Sequence, residues 1–158
     1  MFTNLLPVSE NLYSVLYSKY AKTHFLKKFQ KKYSGKQWEF TEESIKQDLA
    51  RLRMKNNTTQ RGNQIDELRH KDCYWLAKYD FKIAKTMTST KDSGNRCIIF
   101  INNDRDLLKI LLIYHKDDIP KNKTETQYIM EVLNKQYAEY MDLFKSEPEP
   151  EQKAQEAL

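Results

Sequence analysis

Trp75-Leu-Ala-Lys-Tyr-Asp-Phe-Lys-Ile83, WLAKYDFKI, sets Trp75, Ala77, Tyr79, Phe81 and Ile83 at every second position, with Leu76, Lys78, Asp80 and Lys82 between them. A period of two predicts a strand with one buried face. Downstream, residues 95–101 and 107–114 are further β-rich runs, and the intervening Asn102-Asn-Asp-Arg-Asp106 is a loop by composition. Three strands in meander order predict a small antiparallel sheet.

Upstream the period is helical. In residues 19–33, Ala21, Phe25, Leu26, Phe29 and Tyr33 recur three or four apart, Phe25 and Leu26 as neighbours, with lysines between them, predicting an amphipathic helix with a basic outer face. Ser34-Gly35 ends it, and Thr41 followed by Glu42 and Glu43 reads as the N-cap and acidic first turn of a second helix carrying Ile45, Leu49 and Leu52. The pair forms a helical hairpin. Residues 55–63, KNNTTQRGN, are turn-forming, and residues 11–17, NLYSVLY, read as a first strand. After Pro120, Thr124 opens a last helix whose stripe runs from Tyr128 and Ile129 through Val132, Leu133 and Tyr137 to Tyr140, Met141 and Phe144. Residues 124–145 would span about 33 Å as one helix, too long for a small sheet to cover, so the distal half is expected against the chain's own helices. The predicted class is α+β: a small antiparallel sheet with an N-terminal helical hairpin and a long C-terminal helix.

Length and charge narrow the setting. At 158 residues the chain fits one domain, assigned to residues 1–145, and its 12% aromatic content supplies core material that a disordered chain lacks. The Pro/Glu-rich residues 146–158 are expected to be a disordered acidic tail, with four Glu and one Lys that leave +8 on the body against +5 overall. Such a body attracts polyanions, nucleic acid first. Cys73 and Cys97 lack CxxC spacing and there are three His, so neither a metal nor another cofactor is expected. A reducing cytoplasm is the expected compartment, and with no signal-like or membrane-length apolar run at the N-terminus no membrane partner is expected.

The element order, the turn Ser93-Gly94-Asn95-Arg96 leading out of a basic strand, and the ending Leu112-Ile-Tyr-His-Lys116 together resemble the RelE/ParE superfamily of bacterial toxins over residues 15–116. The resemblance implies a toxin of a toxin–antitoxin system, in the RelE-like branch a ribosome-dependent, metal-independent mRNA endonuclease that inhibits translation. Its partners would be the ribosome, mRNA and a cognate antitoxin. Arg96 stands where that branch has an arginine on the scissile phosphate, Lys82 and Lys85 where it has strand lysines, and His115 and Lys116 where it has a second basic or imidazole group. Three departures are visible: the insertion TMTSTKD, His-Lys in place of a terminal arginine, and the longer last helix. A ParE-like gyrase inhibitor, or a nucleic-acid-binding accessory protein without catalysis, is the competing implication.

Metal-free RNA cleavage must deprotonate a 2′-hydroxyl, neutralise the phosphorane and protonate the leaving oxygen. Arg96 suits the electrostatic role because its planar fork can bind two phosphate oxygens; an ion pair with Asp92 or Asp106 is its alternative. Lys82 and His115 are the proton-transfer candidates, joined by Lys116. Lys78, Lys85 and Lys91 are expected RNA contacts, although Lys82 and Lys85 fall on opposite faces of a regular strand. Glu125 and Tyr128 offer a carboxylate and a phenol, and equally fit helix-dipole and core roles.

Overall fold

The computed structural model of the chain describes residues 12–52 and 64–145. Its sheet has five strands, β1 (Ser14–Tyr17), β2 (Ile65–Lys71), β3 (Tyr74–Phe81), β4 (Asn95–Asn102) and β5 (Leu107–His115), in the order β1-β5-β4-β3-β2. From β2 to β5 it is the antiparallel meander that the period of two predicts. β1 corrects the wholly antiparallel expectation, because it pairs with β5 in parallel. The chain leaves β1 through helices that carry it to the far edge, so the direction of β1 is set by the free edge of β5 and not by a hairpin turn. β2 was not expected as a strand. Ile65 and Leu68 are its only apolar residues, and its charges suit an edge strand, where they discourage pairing with another chain.

The first helix is three pieces in series: α1 (Lys19–Ala21), a π turn (Lys22–Leu26) and α2 (Lys27–Gln30). The Ser18 side chain caps it by accepting from the Ala21 N–H. α3 (Gly35–Ala50) begins earlier than Thr41, because the Ser34 side chain already caps the chain there by accepting from the Gln37 N–H. Thr41 is instead a buried tie inside the helix. Its hydroxyl donates to the Gln37 carbonyl at 2.8 Å and accepts from the Ala84 N–H at 2.8 Å, pinning the chain just beyond β3.

Both faces of the sheet are covered. On one, Phe29, Trp38, Ile45 and Leu49 pack on Trp75, Tyr79, Phe81, Ile99 and Ile110. On the other lie α4 (Glu125–Gln136) and α5 (Ala138–Asp142), whose Ile129, Leu133, Tyr137 and Met141 pack on Leu76, Ile98, Phe100 and Leu112. Burial on both sides explains why β4 and β5 read as continuous apolar runs; β3 is covered on both sides too, and alternates because Lys78 and Asp80 on its second face are paired with Glu125 and Arg96. Thr124 caps α4 as expected, in a capping box with Gln127.

The single long helix does not form. At Tyr137 the backbone takes φ −130° and ψ 37°, dividing α4 from α5. The distal aromatics thereby turn onto the sheet: the Tyr140 ring centre lies 4.5 Å from that of Phe100, and Phe144 meets both Phe100 and Tyr74. The expected packing against the chain's own helices holds at Tyr137, which meets Ser18 and Tyr20, whereas Tyr140, Met141 and Phe144 pack on the sheet's second face instead. The turn expected at 55–63 and the tail 146–158 lie outside the described residues.

Candidate functional site

Arg96 on β4 stands in register between Asp80 on β3 and Tyr114 on β5. All three point toward α4. Arg96 Nε donates to Asp80 Oδ1 at 3.2 Å, and its Nη1 donates to Glu125 Oε2 from the first turn of α4. The Tyr114 hydroxyl donates to the same Glu125 oxygen at 3.0 Å. Lys78 Nζ completes the group, 3.3 Å from Glu125 Oε1 and 3.7 Å from Asp66 Oδ2.

The two central carboxylates are perturbed in opposite directions. Burial pushes the Asp80 carboxyl up, against the pull of Arg96 and Lys78. Burial also opposes the Glu125 charge, but the Arg96 hydrogen bond, together with Lys78 and the Tyr114 hydroxyl, outweighs it and holds Glu125 below the usual carboxylate range. Burial, with Glu125 beside it, raises the Tyr114 phenol. The Arg96 side chain is 15% exposed and that of Asp80 7%. A phosphate oxygen taking the place of Glu125 on this arginine would cost the carboxylate its Arg96 hydrogen bond and leave it to Lys78 and the Tyr114 hydroxyl alone.

His115 is elsewhere. It follows Tyr114 on β5 and so leaves the sheet on the opposite face, beside Tyr33, Ile83 and Asn95. Its Nε2 lies 2.9 Å from the Ser93 carbonyl oxygen and its Nδ1 accepts from the Asp117 N–H at 3.0 Å, so the Nε2–H tautomer satisfies both contacts. The ring thereby caps the short turn Lys116–Asp118. Lys82, just past β3, lies toward Thr41, Asp48 and Phe81 on that same side. Lys85 adopts φ 67° and sets its ammonium 5.6 Å over the Phe40 ring. Lys91 and Lys116 are exposed.

Of the residues singled out from sequence, the fold therefore joins Arg96, Lys78 and Glu125, with Tyr128 one ring away through its edge contact to Tyr114 at 5.8 Å. It does not bring Lys82, Lys85, Lys91, His115 or Lys116 to Arg96. The arginine's partners are Asp80 and Glu125 rather than Asp92 or Asp106. Asp80 and Tyr114 were missed as members. The alternation in WLAKYDFKI already puts Lys78 and Asp80 on one face, and that signal could have found the first of them.

The strongest exposed feature is the first helix. Between Ser18 and Trp38 the chain has seven lysines, one histidine and no carboxylate. Lys19, Lys22, Lys27, Lys28, Lys31, Lys32 and Lys36 are all exposed, and among the described residues only Lys32 has an ion-pair partner, Asp118 at 2.7 Å. Among the described residues no cluster of His, Cys, Asp and Glu could hold a metal ion, and no helix is long and apolar enough to cross a membrane. Comparison with protein-family models, with curated proteins and with solved structures found no match.

Proposed function

We propose that this chain is a RelE/ParE-type protein that acts by binding single-stranded RNA at the ribosome without cutting it. The observation that carries the reading is the lysine face of the first helix, a row of exposed cations with no carboxylate in the segment to neutralise it. Neutralising phosphates along such a face releases condensed counterions, which supplies affinity without base-specific contacts. The element order and the helical connection between β1 and β2 support the RelE-like fold. An antitoxin fits the same reading as an acidic segment laid over this face, and ribosomal RNA as target places the protein in the cytoplasm.

The test is fluorescence anisotropy of an unstructured RNA with the full chain, beside growth on induction in a bacterial host. Binding that Lys27→Glu with Lys31→Glu abolishes, and growth arrest relieved by the same pair, are expected. Wild-type binding by the reversed variant would overturn the assignment of the face.

A second reading, RNA cleavage, is favoured by one observation: Asp80 and Glu125, with carboxyls displaced in opposite directions, flank Arg96 and Tyr114. Groups perturbed apart in this way are a recurrent property of acid–base sites. Message isolated after induction separates the two. Intact RNA under growth arrest supports binding, whereas cut ends that disappear in a folded Arg96→Lys variant support cleavage.

A further inference from the structure

Where the first helix passes the β5 edge it leaves a cleft of about 310 Å3 against the start of α4. His24, Phe25, Lys28 and Lys32 line it from the helix side, and Tyr114 and Tyr128 from the other. Two of the helix residues sit on the π turn Lys22–Leu26. A π turn inserts a residue into the helical ladder, and such insertions recur at functional sites. Here the insertion lets the sequence neighbours Phe25 and Leu26 both pack inward while His24 and Lys28 stay exposed at the rim.

The lining is prepared for charge. The His24 ring is stacked on Tyr20 at 4.0 Å and its Nδ1 is 2.8 Å from the Thr23 hydroxyl, which leaves Nε2 without a partner among the described residues. Lys28 has no ion pair among them. Lys32 is held at the cleft by Asp118, the one carboxylate in the lining among the described residues.

The contents of the cleft restrict its ligand. A purely apolar molecule would bury the ammonium groups unpaired, and a metal cation would meet their repulsion. Inorganic phosphate would use the lysines and leave the aromatic walls empty. A planar base with a phosphate uses both, since bases stack on aromatic rings and phosphate oxygens accept from Lys and His. The volume is at the lower end of the range, roughly 300–1,000 Å3, that small-ligand sites occupy, and suits one nucleotide.

We propose that this cleft is a nucleotide subsite: one phosphorylated nucleoside, its base between Phe25 and Tyr128 and its phosphate on Lys28 and His24, with Lys32 joining when Asp118 releases it. The proposal rests on the RNA reading for its place in a strand running along the lysine face, and a free mononucleotide carries the same chemistry.

The experiment is a titration of the isotopically labelled full chain with 5′-AMP, adenosine and inorganic phosphate, followed by NMR, alongside anisotropy with a short oligoadenylate. Saturable AMP shifts centred on His24, Lys28 and Tyr128 are expected. Adenosine and phosphate should each bind at least about tenfold more weakly, because each loses half of the contacts. Lys28→Ala and His24→Ala should each weaken AMP, Asp118→Asn should strengthen it, and Lys135→Ala, on the outside of α4, should leave it unchanged. Oligoadenylate binding far tighter than AMP identifies the strand as the source, and equal affinities identify the free mononucleotide. AMP shifts that are absent, or that persist unchanged in Lys28→Ala and His24→Ala, overturn the subsite while leaving RNA binding by the lysine face standing. AMP held in the cleft by a chain that binds no RNA overturns the RNA reading and keeps the subsite.

Discussion

The Tyr137 and Ser18 hydroxyls, 119 residues apart in sequence, meet at 2.6 Å, and the tyrosine hydroxyl donates to the Leu111 carbonyl at 2.6 Å. One contact thus joins the cap of the first helix, the last strand and the break between α4 and α5. Burial, the largest influence, pushes the Tyr137 phenol up to about 12, so it stays a donor throughout the neutral range.

Tyr137→Phe is therefore expected to lower stability by about 1–3 kcal/mol, because it strands a buried carbonyl and the Ser18 hydroxyl while preserving the ring. The measurement is urea denaturation. A reduced midpoint at unchanged slope is the expected result, and an unchanged midpoint would show that the hydroxyl is dispensable. Ending the chain at Gln136 also removes Tyr140, Met141 and Phe144 from Phe100, and is expected to abolish cooperative unfolding.

The Arg96 cluster predicts two opposite pH dependences. Glu125 is held below its ordinary value near 4.5, so its stabilisation is present above that pH and is lost as pH falls through the lower folded value. Glu125→Gln should be less stable than wild type above pH 4.5, with the gap closing on acidification. Asp80 is raised above 3.8, so its contribution is present below that value and is lost as pH rises through the folded one. Asp80→Asn should accordingly gain on wild type as pH rises through that window. Parallel trends in the two variants, in denaturation midpoints across the acid range, would show that the cluster is not electrostatically organised in this way.

Gly94 has φ 76°, and a Cβ there would lie 2.9 Å from His115 Nε2 and 3.0 Å from Lys116 Cγ. Gly94→Ala is expected to cost about 1–2 kcal/mol for the left-handed backbone alone, with His115 displaced from the Ser93 carbonyl. Thermal unfolding reads the first effect, and the His115 ring resonances read the second. A variant of wild-type melting temperature with unmoved His115 signals would contradict this account of the turn.

RNA affinity should fall steeply with salt, and each lysine contact removed should lower the slope of log affinity against log salt by about 0.7, the value for single strands. Lys27→Ala and Lys31→Ala, measured singly and together, test the increments. An unchanged slope in the double variant would move the RNA contacts off the first helix.

Much of the fold is legible as local pattern. The alternation of WLAKYDFKI marks β3, the spacing of Phe25, Phe29 and Tyr33 marks the first helix with its lysine face, and Thr124 marks the start of α4, because period and capping are properties of neighbouring residues. Pairing is not local. The parallel seat of β1 beside β5, the charged edge strand β2 and the division of the last helix at Tyr137 all depend on segments far apart in sequence, through backbone bonds and burial that no single window contains. The candidate site divides the same way. Lys78, Arg96 and Glu125 stand out by residue type, but their convergence with Asp80 and Tyr114, and the departure of His115 to the other face, follow from strand register, since neighbouring residues on a strand leave on opposite sides.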